Sequence, residues 1–94
     1  MLLIQNAHIK TMAGADIPNG CLLVENGKIA AVGDLKDASA GTVLDAAGKY
    51  VTPGFIDIHR HAAAALFRSH FGELELKQGL TTIVNGNCGL SVTP

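Results

Sequence analysis

The first half of the chain reads as short runs of aliphatic and polar residues separated by turn-forming pairs. The pattern changes character after Pro53-Gly54. "LLIQNAHIKTM" mixes aliphatic and polar positions and ends at the Gly14-Ala15-Asp16 turn region. In "GCLLVENGKIAAVGD", strand-like runs at Cys21–Glu25 and Lys28–Val32 flank Asn26-Gly27. Asn-Gly between hydrophobic runs predicts a hairpin, because both residues tolerate positive φ. "LKDASAGT" is polar and small, hence a loop, and "TVLDAAGKYVT" predicts a short strand and turn. Beyond Pro53-Gly54, "FIDIH" and "TTIVNG" are strand candidates. Between them, "SHFGELELKQGL" predicts a short helix, with Leu74 and Gln78, or Phe71 and Glu75, one turn apart. Gly79 is its stop.

A strand, a helical linker and a strand form the βαβ rhythm of a parallel crossover. The expected fold class is therefore α/β with a β-rich N-terminal part, meander-like over residues 1–52. An α/β segment opens over residues 53–94. Neither length suits a complete domain of its kind.

Composition narrows the partners. The chain has 94 residues, and 48% are hydrophobic against 16% charged, which favours a buried core over disorder. A formal charge of -1 and a pI near 6.4 offer no electrostatic footprint for nucleic acid or an anionic membrane. The N-terminal "LLIQNAHIK" lacks a basic n-region and is too short to span a bilayer. With Cys21 and Cys88 as the two thiols, the expectation is a reducing, cytoplasmic setting without a disulfide framework.

The densest chemistry lies in "YVTPGFIDIHRH". In a regular strand Asp57, His59 and His61 share one face, while Ile56, Ile58 and Arg60 share the other. Imidazoles two residues apart can lean onto one ion, and apolar residues first with histidines last suits the C-terminal end of a barrel strand. Asp57, one step deeper, would hydrogen-bond a ligand or support a metal from beyond its ligands; equally, it would only accept backbone hydrogen bonds. "TTIVNGNCGLSVTP" ends a strand in a loop with glycines around Cys88. At the tip of the neighbouring parallel strand this thiol would lie beside the histidines. Two imidazoles and a thiolate make the three-ligand set of a catalytic zinc, with one position left for water. The plainer readings are half-exposed polar residues and an ordinary small cysteine. Cys21, His8 and His70 match no ligand spacing, and neither a phosphate loop nor a nucleophile elbow occurs.

"VTPGFIDIHRH" resembles the opening signature of the metal-dependent amidohydrolase superfamily. "GLTTIVNGNCGLSVTP" is similar, more narrowly, to the N-acyl-D-amino-acid deacylase (D-aminoacylase) branch. "LLVENGKIAAVG" and "VLDAAGKYVTPG" are similar to that family's N-terminal segment, so the resemblance spans nearly the whole chain. It implies half of a small β-sandwich, a composite domain, over 1–52 and the first βαβ unit of a β/α barrel over 53–94. It implies His59, His61 and Cys88 as metal ligands, with a divalent metal, zinc first among them. The implied reaction is hydrolysis of an N-acyl amide, such as an N-acyl-D-amino acid, by metal-activated water.

Two departures shape the expectation. A barrel of this kind takes about 250 residues, and the family's later histidines and aspartate base have no counterpart here. Where an acidic residue commonly follows the second histidine, this chain has Ala62 to Ala65. The expectation is thus an N-terminal portion, catalytically incompetent alone. It would self-associate or pair with a missing C-terminal portion. Two alternatives stand beside it: a stand-alone β-rich binding or assembly module, and a non-catalytic metal-binding protein.

Overall fold

In the computed structural model the chain divides into two compact units, Met1–Pro53 and Gly54–Pro94. The structure describes residues 1–91; the end of the "GLTTIVNGNCGLSVTP" stretch and of the expected 53–94 segment lies outside the described residues.

The first unit is a five-stranded sheet of β1 (Leu2–Ile9), β2 (Ile17–Glu25), β3 (Lys28–Gly33), β4 (Thr42–Asp45) and β5 (Tyr50–Val51). The β2–β3 hairpin forms at the expected pair, with Asn26 and Gly27 at φ of 50° and 74°. Both residues at positive φ match the right-handed twist of the flanking strands. The sheet is not a meander. β1 is central, antiparallel to β2 on one edge, and parallel on the other edge to β4 and then β5. The connection from β3 to β4 therefore crosses back over two strands. Its eight residues, Asp34 to Gly41, reach about 27 Å when extended. That length permits a parallel return, which no local pattern announces.

Between β4 and β5 the chain bulges away from β1 but keeps its backbone partners. Asn6 Nδ2 donates to Asp45 Oδ1 at 3.0 Å, and Ala46 N–H donates to Gln5 O at 2.9 Å. The apolar core of this unit gathers Ala7, Ile9 and Ala46, with Ile4, Ile17, Leu22 and Val51 packed around them.

The second unit holds β6 (Phe55–Arg60), a 3₁₀ turn at Ala63–Ala65, α1 (Glu73–Lys77) and β7 (Leu80–Asn85). β6 and β7 pair in parallel, and α1 lies against β7, which is the βαβ arrangement the pattern predicts. The helix is shorter than "SHFGELELKQGL" suggests. His70 and Gly72, at φ of 64° and 90°, turn the chain out of the right-handed helical region and delay helix entry to Glu73. At the other end Gly79, at φ of 84°, donates its N–H to Leu76 O and stops the helix. No helix among the described residues is long and apolar enough to cross a membrane.

Candidate metal centre

β6 slips register against β7 between Phe55 and Ile56 and again between Asp57 and Arg60. That irregularity shapes the strand tip. Asp57 Oδ1 accepts the His59 N–H at 3.1 Å, and Oδ2 accepts from Arg60 Nη1 at 3.3 Å. Strict alternation would have put Arg60 on the face opposite Asp57. The broken ladder instead lets the two side chains meet.

Arg60 reaches further, with Nη2 donating to Glu75 Oε1 of α1 at 2.6 Å. The His59 backbone N–H, and after it Arg60, hold the Asp57 carboxyl below the usual carboxylate range. Among the described residues, neither imidazole hydrogen-bonds this carboxylate. Asp57 acts on the strand tip through backbone and guanidinium.

His59 and His61 project side by side, their ring centroids 5.1 Å apart and their planes at 64°. Cys88, in the loop after β7, brings Sγ to 3.6 Å from His61 Nε2. One ligand atom from each of His59, His61 and Cys88 lies within 4.8 Å of the others, and all three residues are exposed. Around a tetrahedral zinc, N–N and N–S separations are about 3.3–3.6 Å. The Cys88–His61 distance already matches, and the other separations, within 4.8 Å, would shorten by up to about 1.5 Å around an ion. The donor set of two imidazoles and a cysteine sulfur fits a borderline-soft divalent ion.

The Cys88 loop is held by its own turn and by two asparagines. Gly86 and Gly89 sit at φ of 75° and 82°, and Gly89 N–H donates to Gly86 O at 2.9 Å. Asn87 Nδ2 donates to Ile58 O at 2.6 Å, and Asn85 Oδ1 accepts the Ala62 N–H at 2.9 Å. A cavity of about 350 Å³ opens beside His61, lined also by Ala63, Ala64, Leu90 and Ser91. The alanine run that follows the histidines thus forms an apolar wall there.

The remaining candidates lie elsewhere. His70 Nδ1 pairs with Glu73 Oε1 at 2.6 Å at the start of α1. His8 packs against Tyr50 with centroids 4.5 Å apart and ring planes tilted by 44°, and Cys21 is a free thiol within β2. None of the three is among the clustered ligand residues His59, His61 and Cys88. Arg60, Glu75, Asn85 and Asn87 were not singled out from the sequence. The only signal for the asparagines was their place around Gly86 at a strand end.

The profile of the amidohydrolase family matches residues 42–93. The chain belongs to the amidohydrolase family. This amidohydrolase chain is 48% identical over 71 residues to the D-aminoacylase of Alcaligenes xylosoxydans xylosoxydans, covering 76% of this chain and 15% of that protein. It is 43% identical over 81 residues to the 5'-deoxyadenosine deaminase of Methanococcoides burtonii, covering 84% of this chain and 19% of that protein. Its fold matches the crystal structure of N-acyl-D-glutamate deacylase from Bordetella bronchiseptica with a TM-score of 0.84 and 39% identity. That match covers 99% of this chain and 20% of the other. The deacylase was solved with zinc and a phosphonate mimic of the tetrahedral intermediate. The chain therefore spans between 15% and 20% of the length of these relatives.

Proposed function

We propose that this chain supplies the first metal-binding strand and the following βα unit of a metal-dependent amidohydrolase that cleaves C–N bonds other than peptide bonds. The substrate class we favour is N-acyl amides, in particular N-acyl-D-amino acids. The convergence of His59, His61 and Cys88 carries this reading. Similarity to the D-aminoacylase and to the zinc-containing deacylase favours N-acyl-D-amino acids over purines.

In this reading β6 and β7 are the first strands of a β/α barrel, and the Met1–Pro53 sheet is half of a composite β-sandwich. Parallel strands buried on both faces carry near-continuous apolar runs. Phe55, Ile56 and Ile58 fit that description, yet 57%, 60% and 70% of their surface is exposed here.

A zinc bound at the cluster would polarise an amide carbonyl and lower the pKa of a water. The residues of this chain do the rest of the local work. His59 and His61 present imidazole nitrogens, and Cys88 presents sulfur from the loop after the neighbouring parallel strand. Asp57 fixes the His59 backbone, and the alanine-lined cavity leaves room beside His61. No described residue is placed as the general base, so we expect no turnover from the 94-residue chain. Two free thiols suit a reducing, cytoplasmic setting.

Isothermal titration with zinc tests the site. The parent chain is expected to bind zinc, and His59→Ala and Cys88→Ser, each lacking one ligand, to bind it more weakly or not at all. Equal uptake by parent and variants would remove the assignment. Stoichiometric metal would also exclude a β-rich module whose histidines are incidental.

A further inference from the structure

We infer that Asn85 and Asn87 are positioning residues that set the separation between the histidine pair and the Cys88 thiol. This rests on the metal-site reading above and adds to it the groups that make the site geometry. The His59-Arg60-His61 segment begins where β6 and β7 fall out of register. The ladder resumes only at the Arg60–Asn85 pair and ends there, before His61 and before the loop that carries Cys88.

Two side-chain bonds take over. The carbonyl just before the segment, Ile58 O, accepts from Asn87 Nδ2 at 2.6 Å. The N–H just after it, Ala62 N, donates to Asn85 Oδ1 at 2.9 Å. The three residues carrying the histidines are thus bracketed by asparagine amides from the strand and loop that carry Cys88. Both assignments are chemically forced, because a carbonyl oxygen only accepts and a backbone N–H only donates. Asn87 is also the immediate neighbour of Cys88. Its bond to Ile58 therefore acts on the thiol with a single residue of slack.

The opposite polarity of the two bonds gives a test that simple loss of packing would not reproduce. Aspartate in place of Asn85 keeps the acceptor that Ala62 N–H needs. Aspartate in place of Asn87 has the same size but turns a donor into an acceptor facing Ile58 O, which repels it. Cobalt(II) added to the 94-residue chain reads the geometry directly, because a sulfur-to-cobalt charge-transfer band requires Cys88 at the ion. The parent and Asn85→Asp are expected to show this band with similar affinity. Asn87→Asp and Asn87→Ala are expected to lose it or to bind about 10- to 100-fold more weakly, with unchanged far-UV circular dichroism.

Retention of the parental band and affinity in Asn87→Asp would overturn the inference while leaving the metal site standing. Equal loss in Asn85→Asp and Asn87→Asp would also overturn it, since donor polarity would then not matter. A parent chain that binds cobalt without the band, or not at all, would overturn the ligand assignment itself and the inference with it. If Asn87→Ala alters the circular dichroism, the isosteric aspartate pair carries the comparison.

Discussion

At the scale of single residues, Asp57 and Arg60 show how a strand tip is stiffened where its ladder is irregular. The Asp57 carboxylate takes one hydrogen bond from the His59 backbone and one from Arg60, and Arg60 continues to Glu75. Because these bonds favour the ionised form, the folded-state pKa of Asp57 lies below its unfolded value. The stabilisation is then complete above the ordinary carboxylate pKa and is lost as pH falls through the depressed folded value. A carboxyl carbon-13 titration of Asp57 is expected to show its midpoint below the usual aspartate range. Asp57→Asn is expected to abolish the change in the His59 amide and Arg60 guanidinium resonances that accompanies protonation of Asp57. An ordinary midpoint would show that the bonds at the strand tip do not hold in solution.

At the scale of elements, two glycines are required for different reasons. Gly27 lies at φ of 74°, and an added Cβ there would meet no heavy atom within 4 Å. The cost of Gly27→Ala is therefore backbone strain alone, about 1–2 kcal/mol, readable in a urea transition of the first unit. Gly54 precedes β6, and a Cβ there would overlap the Thr81 side chain on β7. Thr81 is β-branched and has little rotamer freedom with which to yield. Gly54→Ala is expected to speed amide exchange across Leu80–Asn85, and Gly54→Ala with Thr81→Gly, which also removes the Thr81 Cβ 2.6 Å away, to restore part of the protection. No difference between the single and double variants would place the defect elsewhere.

At the scale of the whole molecule, the second unit leaves large apolar side chains uncovered. Beyond Phe55, Ile56 and Ile58, the α1 residues Leu74 and Leu76 expose 69% and 65% of their surface. Burial of apolar area is worth about 25 cal/mol per Å², and β6–β7 also presents unpaired strand edges. We expect the purified 94-residue chain to self-associate, through these strands and α1, at micromolar concentration in light scattering. Substituting Ile56 and Ile58 with Thr should shift it towards monomer. A monomeric parent would count against this expectation.

The hairpin at Asn26-Gly27, the stop at Gly79 and the two strands "FIDIH" and "TTIVNG" were legible because each depends on local backbone preference and on short-range apolar pattern. The residue types at 59, 61 and 88 were legible as metal chemistry for the same reason: donor atoms are a property of the side chain. The family followed from the motifs that hold those residues. Tertiary structure alone decided the parallel return of β4 and β5 onto β1, since pairing across a long loop leaves no local trace. It also decided that β6 loses register at Asp57, that Arg60 reaches both Asp57 and Glu75, and that Asn85 and Asn87 grip the backbone on either side of the histidines. Those contacts join residues up to 29 positions apart, as Asn87 and Ile58 do. Their energy exists only once β6 and β7 lie side by side.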